Sequence, residues 1–261
     1  MPELPDLEVF RTNVFDQLTS KRLVGVEIFN PIKVQGSKNV LDSDLVGRDL
    51  VCINRRGKEL YFDFGDDQII AVHLMLSGTI SIVNDVDAAN INFKIFSMRF
   101  EHDTIVFSDR GSLCTVKYMP ESDSTPDALD GDFTLEYFLD IANKKRRTNV
   151  KSFLINQKIV KGIGNAYADE ILWTARISPR SLVGKIPDDK LEVLYNAIST
   201  VLREAILEIK RLAPNIISGE ERSFLKVHNR KLKETETGYP IIIEKIASKT
   251  TYYTEEQILY S

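Results

Sequence analysis

The hydrophobic pattern of this chain changes its period once, and that change constrains the fold more than any other feature. Up to about residue 120, short runs alternate apolar and polar residues, which is the period of a half-buried β-strand. Beyond a polar, breaker-rich stretch, Glu121–Asp127, apolar residues recur at three- and four-residue steps, as in amphipathic helices. A β half followed by a helical half predicts an α+β protein with more than one domain.

The N-terminal half begins with one predicted helix, from Asp6 to Leu18, because its apolar residues follow the helical period. Seven β-like runs without an intervening helix then predict an antiparallel β-sandwich. These runs are Leu23–Phe29, Leu45–Asn54, Glu59–Phe64, Gln68–Leu74, Thr79–Val83, Asn92–Phe100 and Thr104–Phe107.

The C-terminal half is predicted to be helical and to end in one β-hairpin. The predicted helices are Leu135–Ala142, Val150–Gln157, Asn165–Ala175 and Asp188–Leu212, and the predicted strands are Pro240–Ile246 and Thr250–Tyr253. We therefore expect a β-sandwich domain at 1–120, an acidic linker at 121–133, a helical domain at 134–221 and a hairpin segment at 222–261.

Composition is that of a soluble globular protein, with 43% apolar and 28% charged residues. No apolar run of about 18 residues and no signal-peptide pattern is present, so an intracellular protein without a membrane span is expected. Cys52 and Cys114 lack a Cys-x-x-Cys pairing, which argues against a disulfide framework and a cysteine zinc site. We expect two reduced thiols and no metal or cofactor.

The net charge of −4 hides an uneven distribution of basic residues. Seven Lys or Arg and no acid lie between Lys144 and Lys161, and five more lie from Arg222 to Lys233, again without an acid. Such runs predict either a nucleic-acid surface or a solvated helix face. Lys151, in the first run, is a candidate DNA contact.

The N-terminal residues Pro2 and Glu3 suggest covalent chemistry. Removal of Met1 would leave a secondary amine with a pKa of about 8, partly unprotonated at neutral pH. Such an amine can attack an electrophilic carbon and form an iminium, with Glu3 as the neighbouring proton donor and acceptor. The alternative is structural, because Pro5 and Asp6 also suit the first turn of a helix.

A second motif, Gly162-Ile163-Gly164-Asn165, separates two predicted helices. Glycines allow a tight turn and close backbone approach, and N–H groups at the next helix start can hold a phosphate. Asn165 would cap that helix. The same motif could also be only a helix connection.

Four ordered motifs resemble the formamidopyrimidine-DNA glycosylase and endonuclease VIII family: Pro2-Glu3-Leu4-Pro5, Arg55-Arg56-Gly57-Lys58, His73-Leu74 with Ser77-Gly78, and Gln157 to Glu170. The resemblance implies a base-excision repair glycosylase with an associated lyase that cleaves abasic sites by β/δ-elimination. It implies a helix–two-turn–helix DNA-binding domain at 134–221. It also implies damaged double-stranded DNA as the partner, with abasic or single-stranded DNA as further candidates, a monomeric protein, and action at the nucleoid or in the nucleus.

The resemblance assigns a role to each matching residue. Pro2 is the nucleophile and Glu3 the general acid and base. Lys58 contacts a phosphate beside the damaged nucleotide and helps to hold the sugar. His73 and Asn165 contact further phosphates.

Two loops are implied to fill the gap that an everted nucleotide leaves, which is a general requirement of base flipping. The first contributes Leu76. The second, expected as Asp-Pro-Arg-x-Phe-Gly, begins at Asp109 and has Gly111 for the arginine and Leu113 for the phenylalanine. Loss of that arginine argues against discrimination of the opposite base, and Arg110 is the nearest substitute.

The tail departs furthest from the family pattern. The four cysteine positions of the family's zinc hairpin align with Glu234, Thr237, Thr254 and Gln257. This resembles the family's zincless-finger members, with Lys249 in place of a phosphate-gripping arginine.

Between the helical domain and the tail, Ser218–Phe224 is shorter than the loop that closes over 8-oxoguanine in part of the family. Oxidised pyrimidines or ring-opened purines are therefore the expected substrates. The alternative is a protein that recognises damaged or unusual DNA with weak or no excision.

Overall fold

The computed structural model describes residues 1–261, which form two compact units. The first comprises Met1–Asp123 with Ile209–Glu220, and the second comprises Ser124–Glu208 with Glu221–Ser261. The helices are α1 (Leu4–Leu18), α2 (Lys38–Leu45), α3 (Asp85–Asn90), α4 (Leu135–Lys144), α5 (Val150–Leu154), α6 (Asn165–Thr174) and α7 (Asp188–Leu212).

The strands of the first unit are β1 (Leu23–Ile28), β2 (Val34–Gln35), β3 (Cys52–Arg56), β4 (Glu59–Asp63), β5 (Ile69–His73), β6 (Thr79–Val83), β7 (Lys94–Phe100), β8 (Thr104–Ser108) and β9 (Thr115–Tyr118). The strands of the second unit are β10 (Ile242–Ile246) and β11 (Lys249–Tyr253). None of the helices is long and apolar enough to cross a bilayer.

The first unit is a β-sandwich, as predicted. One sheet has the order β1-β7-β8-β6, and the other has the order β2-β9-β5-β4-β3. All strand pairs are antiparallel except β2 with β9. Phe107 packs edge-on against Phe62, with ring centroids 5.7 Å apart, and stacks on Phe96 at 6.3 Å. Aromatic side chains of both sheets therefore meet in one apolar core.

The prediction of a β half without inserted helices is wrong at two places. Helix α2 lies immediately before the expected strand Leu45–Asn54 and shares only Leu45 with it, and the strand itself begins later, at Cys52. Ser37 caps α2, and only Leu41 and Leu45 turn inward. Helix α3 begins after Asn84, whose side chain accepts the Asp87 N–H at 2.9 Å. Both helices are too short for their apolar residues to establish a period in the sequence.

The second unit contains the predicted helices, except for the end of α7, and the terminal hairpin. Helix α5 ends at Leu154, before the predicted Gln157. Thr134 caps α4, and the rings of Phe133, Phe138, Phe153 and Tyr195 pack together. Helices α5 and α6, joined by residues 155–164, form the helix–two-turn–helix element. In the hairpin, Ile246 pairs with Lys249 across a two-residue turn, so Lys249 flanks the tip.

Candidate catalytic site and nucleic-acid interface

The start of α1 holds Pro2 and Glu3 in buried positions. Glu3 is the N-cap residue: its N–H donates to Asp6 Oδ2 at 2.8 Å, and its carboxylate accepts the Asp6 N–H in return. Pro5 lies in the first turn, where its missing N–H costs no hydrogen bond. The carboxylate beside Pro2 is therefore held in one position by the helix that it caps.

Strand β3 runs beside α1 in the opposite direction. Arg11 Nη1 donates to the Ile53 carbonyl at 3.4 Å, and Arg55 Nε donates to Glu8 Oε2 at 3.0 Å. The later residue of β3, Arg55, therefore contacts the earlier residue of α1, Glu8, so the C-terminal end of β3 lies near the N-terminal end of α1. The following turn, Gly57-Lys58, lies at the same end of the unit as Glu3.

Two local features set the environment of this turn. Gly57 has φ 60°, which favours glycine, and Lys58 is largely buried despite its charge. Burial acts to raise the pKa of Glu8, but hydrogen bonds and charge from Arg11 and Arg55 outweigh it and leave that pKa below its ordinary value. Glu8 therefore stays ionised and keeps β3 on α1.

His73 ends β5 and pairs with Glu59 across the sheet. Burial lowers the pKa of His73, and its Nδ1 accepts the Met75 N–H at 3.0 Å. A neutral ring that accepts at Nδ1 carries its proton on Nε2. His73 can therefore donate one hydrogen bond without bringing a charge.

Buried Asp109 joins the two loops that carry Leu76 and Leu113. Its carboxylate accepts hydrogen bonds from Ser77 Oγ at 2.6 Å and from the N–H groups of Gly111, Leu113 and Cys114 at 2.8, 2.6 and 2.8 Å. Burial acts to raise the pKa of Asp109, but these bonds outweigh it and lower the pKa. An ionised Asp109 thus fixes both loops.

This network also explains Gly111, which stands where the family pattern has an arginine. A Cβ at Gly111 would lie 3.1 Å from Ser77 Oγ and 3.4 Å from Asp109 Oδ1. A side chain here would push against the hydrogen-bonded pair. Arg110, the expected substitute, is exposed on the same loop.

In the second unit, Lys151 is 0% exposed, which corrects the expectation of a solvent-facing DNA contact. Its Nζ lies 2.7 Å from Asp169 Oδ1 and donates to Thr251 Oγ1 at 2.7 Å and to the Thr250 carbonyl at 3.3 Å. A buried ammonium needs such partners because desolvation is costly. Lys151 therefore holds the hairpin on the helices.

Asn165, the first residue of α6, donates from Nδ2 to the Thr250 carbonyl at 2.8 Å. The amide is thus adjacent to Lys249, which precedes Thr250 at the hairpin turn. That turn consists of Ala247 and Ser248, whose φ angles are 49° and 64°. Two non-glycine residues in the left-handed region indicate a strained tip beside a cation.

Asp169 and Glu170 belong to the motif that ends at Glu170, but the sequence did not show that their carboxylates attach the tail to α6. Glu170 accepts the N–H groups of Lys226, Val227 and His228 at 3.0, 2.9 and 2.7 Å. Asp169 Oδ2 accepts the Tyr252 N–H at 2.9 Å and lies 2.7 Å from His228 Nδ1. The signal in the sequence is a pair of adjacent acidic residues inside an otherwise apolar segment, 166–173.

The four positions aligned with cysteines do not fit a zinc ion, because they lack thiolates and the side chains of Thr237, Thr254 and Gln257 are engaged in hydrogen bonds. Gln257 Oε1 accepts the Thr254 N–H at 2.9 Å, while Gln257 Nε2 donates to the Ile177 carbonyl at 2.9 Å. Thr237 Oγ1 lies 2.8 Å from Thr235 Oγ1.

Glu256, also missed from the sequence, is a third carboxylate with several donors around it. It accepts hydrogen bonds from Thr254 Oγ1 at 3.0 Å, Trp173 Nε1 at 3.2 Å and Arg176 Nη1 at 2.7 Å. Burial acts to raise the pKa of Glu256, but these donors, Thr237 and the charge of Arg176 outweigh it and lower the pKa. Hydrogen bonds to an ionised carboxylate therefore connect the tail to α6.

Two family models match the chain. One, described as the formamidopyrimidine-DNA glycosylase N-terminal domain, matches residues 1–116, and the other, described as the formamidopyrimidine-DNA glycosylase H2TH domain, matches residues 125–213. A formamidopyrimidine-DNA glycosylase of Desulforamulus reducens is 30% identical over 97% of each chain. One of Carboxydothermus hydrogenoformans is 32% identical over 77% of this chain and 76% of that protein.

Solved structures agree with this assignment. The Lactococcus lactis glycosylase in complex with DNA containing an oxidised pyrimidine has a TM-score of 0.83 and 25% identity, covering 97% of this chain and 98% of that one. Fold and motifs thus define a DNA glycosylase that combines an N-terminal β-sandwich with a helix–two-turn–helix unit. The chain belongs to the formamidopyrimidine-DNA glycosylase family.

Proposed function

We propose that this glycosylase excises a damaged base and then cleaves the abasic site through a Schiff base on Pro2. The observation that carries the proposal is local to the first unit: Pro2 and Glu3 lie at the capped start of α1, and the Lys58 turn lies at the same end. A nucleophile, a proton-transfer group and a cation for the adjacent phosphate are thereby available together.

In this mechanism the Pro2 nitrogen, freed by removal of Met1, attacks C1′ of the damaged nucleotide as the glycosidic bond breaks and the base leaves with a proton. The sugar ring then opens, and its C1′ is joined to Pro2 as an iminium. The iminium withdraws electrons, so loss of the C2′ proton expels the 3′ phosphate, and a further elimination expels the 5′ phosphate. Glu3 transfers the protons in these steps.

We infer that the substrates are oxidised pyrimidines or ring-opened purines rather than 8-oxoguanine. The segment from Ser218 to Phe224 is short, and the Ile80 N–H donates to Ser218 Oγ at 3.1 Å. In the second unit, Arg222 Nη1 donates to Tyr167 Oη at 2.8 Å and covers the Tyr167 ring. A short segment that is hydrogen-bonded at Ser218 and at Arg222 is poorly suited to closing over an everted 8-oxoguanine.

The second unit contributes the phosphate contacts in this proposal. Asn165 Nδ2 donates to the Thr250 carbonyl, and Lys249 is the preceding residue at the hairpin turn, so the proposal assigns an amide donor and an ammonium to a phosphate at the hairpin tip. The hairpin acts as a zincless finger, because buried carboxylates attach it to α6.

Borohydride trapping on abasic duplex DNA tests the proposal, with intact mass confirming loss of Met1. Pro2→Gly should reduce trapping by about 100-fold or more and change DNA affinity by less than about threefold, because it replaces the rigid secondary amine with a flexible primary amine and leaves the DNA contacts in place. Glu3→Gln should still trap a preformed abasic site but release damaged bases slowly. Equal loss of binding and trapping in both variants would assign Pro2 and Glu3 a structural role.

A second candidate is a protein that binds damaged or unusual DNA without efficient excision. It is favoured by Gly111 and Leu113 in the gap-filling loop and by Lys249, which lacks the two-pronged geometry of arginine. Tight lesion binding by the processed wild-type protein, without any trapped adduct, would establish this candidate instead.

A further inference from the structure

A third loop joins the two that Asp109 already connects. The Asp109 N–H donates to the Phe93 carbonyl at 2.9 Å, immediately before β7 begins. Phe93 is 60% exposed, Leu76 is 64% exposed and Leu113 is 37% exposed. Three large apolar side chains therefore stand in solvent on loops that share one hydrogen-bonding residue, which distinguishes them from singly scattered exposed residues.

The same loops hold strained backbone. Phe93, Met75 and Ser112 have φ angles of 57°, 57° and 49°. Bulky L-residues rarely adopt this left-handed region, where glycine and asparagine fit at lower cost. Such outliers persist where surrounding structure enforces them, and they concentrate at functional sites.

Folding alone does not account for Phe93. An exposed ring gains little from burial, and its backbone conformation is unfavourable for phenylalanine. The next residue, Lys94, has its own partners: its Nζ lies 4.7 Å from the Phe29 ring centroid and donates to the Ala88 carbonyl at 3.1 Å. Phe93 is thus an aromatic side chain presented outward at a cost to the free protein.

We propose that Phe93 is a third gap-filling side chain, whose ring stacks on a base exposed when the damaged nucleotide leaves the helix. This inference rests on the proposed function. Leu113 lacks an aromatic face, and Phe93, linked to the same Asp109, supplies one. Any base can stack on an aromatic ring, so this contact with the opposite base would depend little on which base is present.

Phe93→Asn provides the test, because asparagine suits the left-handed conformation but cannot stack in the same way. Binding is measured by fluorescence anisotropy on a duplex containing a tetrahydrofuran abasic analogue and on the same duplex undamaged. We expect about tenfold or more weaker binding to the analogue duplex, from the loss of one base–aromatic stack, and less than about threefold on the undamaged one. The melting temperature should rise by about 2–4 °C as strain is relieved. Phe93→Trp should bind the analogue duplex as the wild type does.

Met119→Asn is the matched control. Met119 is 53% exposed with φ 47°, follows β9 and lies outside the Asp109 network, with its N–H bonded to the Ile69 carbonyl. Met119→Asn should raise the melting temperature by a similar amount and should bind both duplexes as the wild type does.

Wild-type binding to the analogue by Phe93→Asn, or equal weakening on both duplexes, would overturn the inference. The trapping assay separates this failure from a larger one. If the wild type traps abasic DNA and Phe93→Asn binds the analogue duplex normally, only the proposed role of Phe93 is refuted. If the wild type neither traps abasic DNA nor binds the analogue duplex, both the proposed function and this inference are refuted.

Discussion

The β-sandwich core and the junction between the tail and α6 bury side chains of opposite character. In the sandwich, Phe62, Phe96 and Phe107 pack ring against ring. In the junction, Lys151 and Asp169 are fully buried as an ion pair, and Glu170 is nearly so. An apolar core tolerates small rearrangements, whereas a buried charge accepts only the geometry that satisfies it.

The difference follows from the size of each region. Nine strands in two sheets enclose enough apolar surface to be stable, but an isolated two-stranded hairpin is marginal in water. The hairpin therefore depends on specific bonds to α5 and α6. Those bonds place Lys249 beside Asn165, so the polar junction determines the geometry of the candidate phosphate site.

The largest effect should come from Asp169→Ala, which leaves the Lys151 ammonium buried without its counterion. The loss should be about 3–5 kcal/mol in the free energy of unfolding, as for other broken buried pairs. Urea unfolding measures it, and hydrogen exchange should show β11 opening first. The double variant Lys151→Met/Asp169→Leu should cost less than Asp169→Ala. A single-variant loss below about 1 kcal/mol would mean that the charges are not effectively buried.

An intermediate effect is expected from acid and from Glu256→Gln. The folded pKa of Glu256 is lowered from 4.5, so its stabilisation is present above that value and is lost as pH falls through the folded pKa. The protection of β10 and β11 against hydrogen exchange, relative to the intrinsic rate at each pH, should therefore fall below about pH 4.5 before that of β7 and β8. At neutral pH, Glu256→Gln should destabilise the protein by about 1–3 kcal/mol, because it removes charge-assisted bonds, and should flatten this pH response. Simultaneous acid exchange in both regions would contradict the comparison.

A smaller effect should follow from Ile105→Val in the sandwich core, where Ile105 is fully buried. Removing one methyl group should cost about 0.5–1.5 kcal/mol without releasing any single element. The same loss at pH 7 and pH 4 in urea unfolding would set the apolar region apart from the charged junction. Selective opening of one strand in hydrogen exchange would show that the core is less uniform than its packing indicates.

The smallest effect on stability concerns Lys249, which is exposed and which we propose contributes to DNA binding. Lys249→Ala should weaken lesion-DNA binding and reduce the slope of log affinity against log salt by about one. Lys249→Arg should bind at least as well as the wild type, because a guanidinium can engage two phosphate oxygens. Anisotropy titrations at several salt concentrations measure both. Unchanged affinity and slope in Lys249→Ala would remove the hairpin from the phosphate site.

Elements whose information is local could be predicted from the sequence. The period change predicted an α+β protein, α7 lies at the predicted Asp188–Leu212, and four motifs with their spacing were enough to indicate the family. Each of these signals lies within one element or one turn, where a repeat of two or 3.6 residues is sufficient. Helices α2 and α3 were not predicted, because they are shorter than the window in which such a repeat can be recognised.

The positions of the polar side chains, in contrast, depend on the folded structure. Lys151 belongs to a basic run that predicts a surface, yet it is buried against Thr251, 100 residues further along the chain. Asp109 joins Ser77, 32 residues earlier, to its own loop and to Phe93. Charged residues follow no periodic pattern in the sequence that would show whether a side chain faces solvent or a buried partner. Its position depends on which distant donors the fold brings within hydrogen-bonding distance.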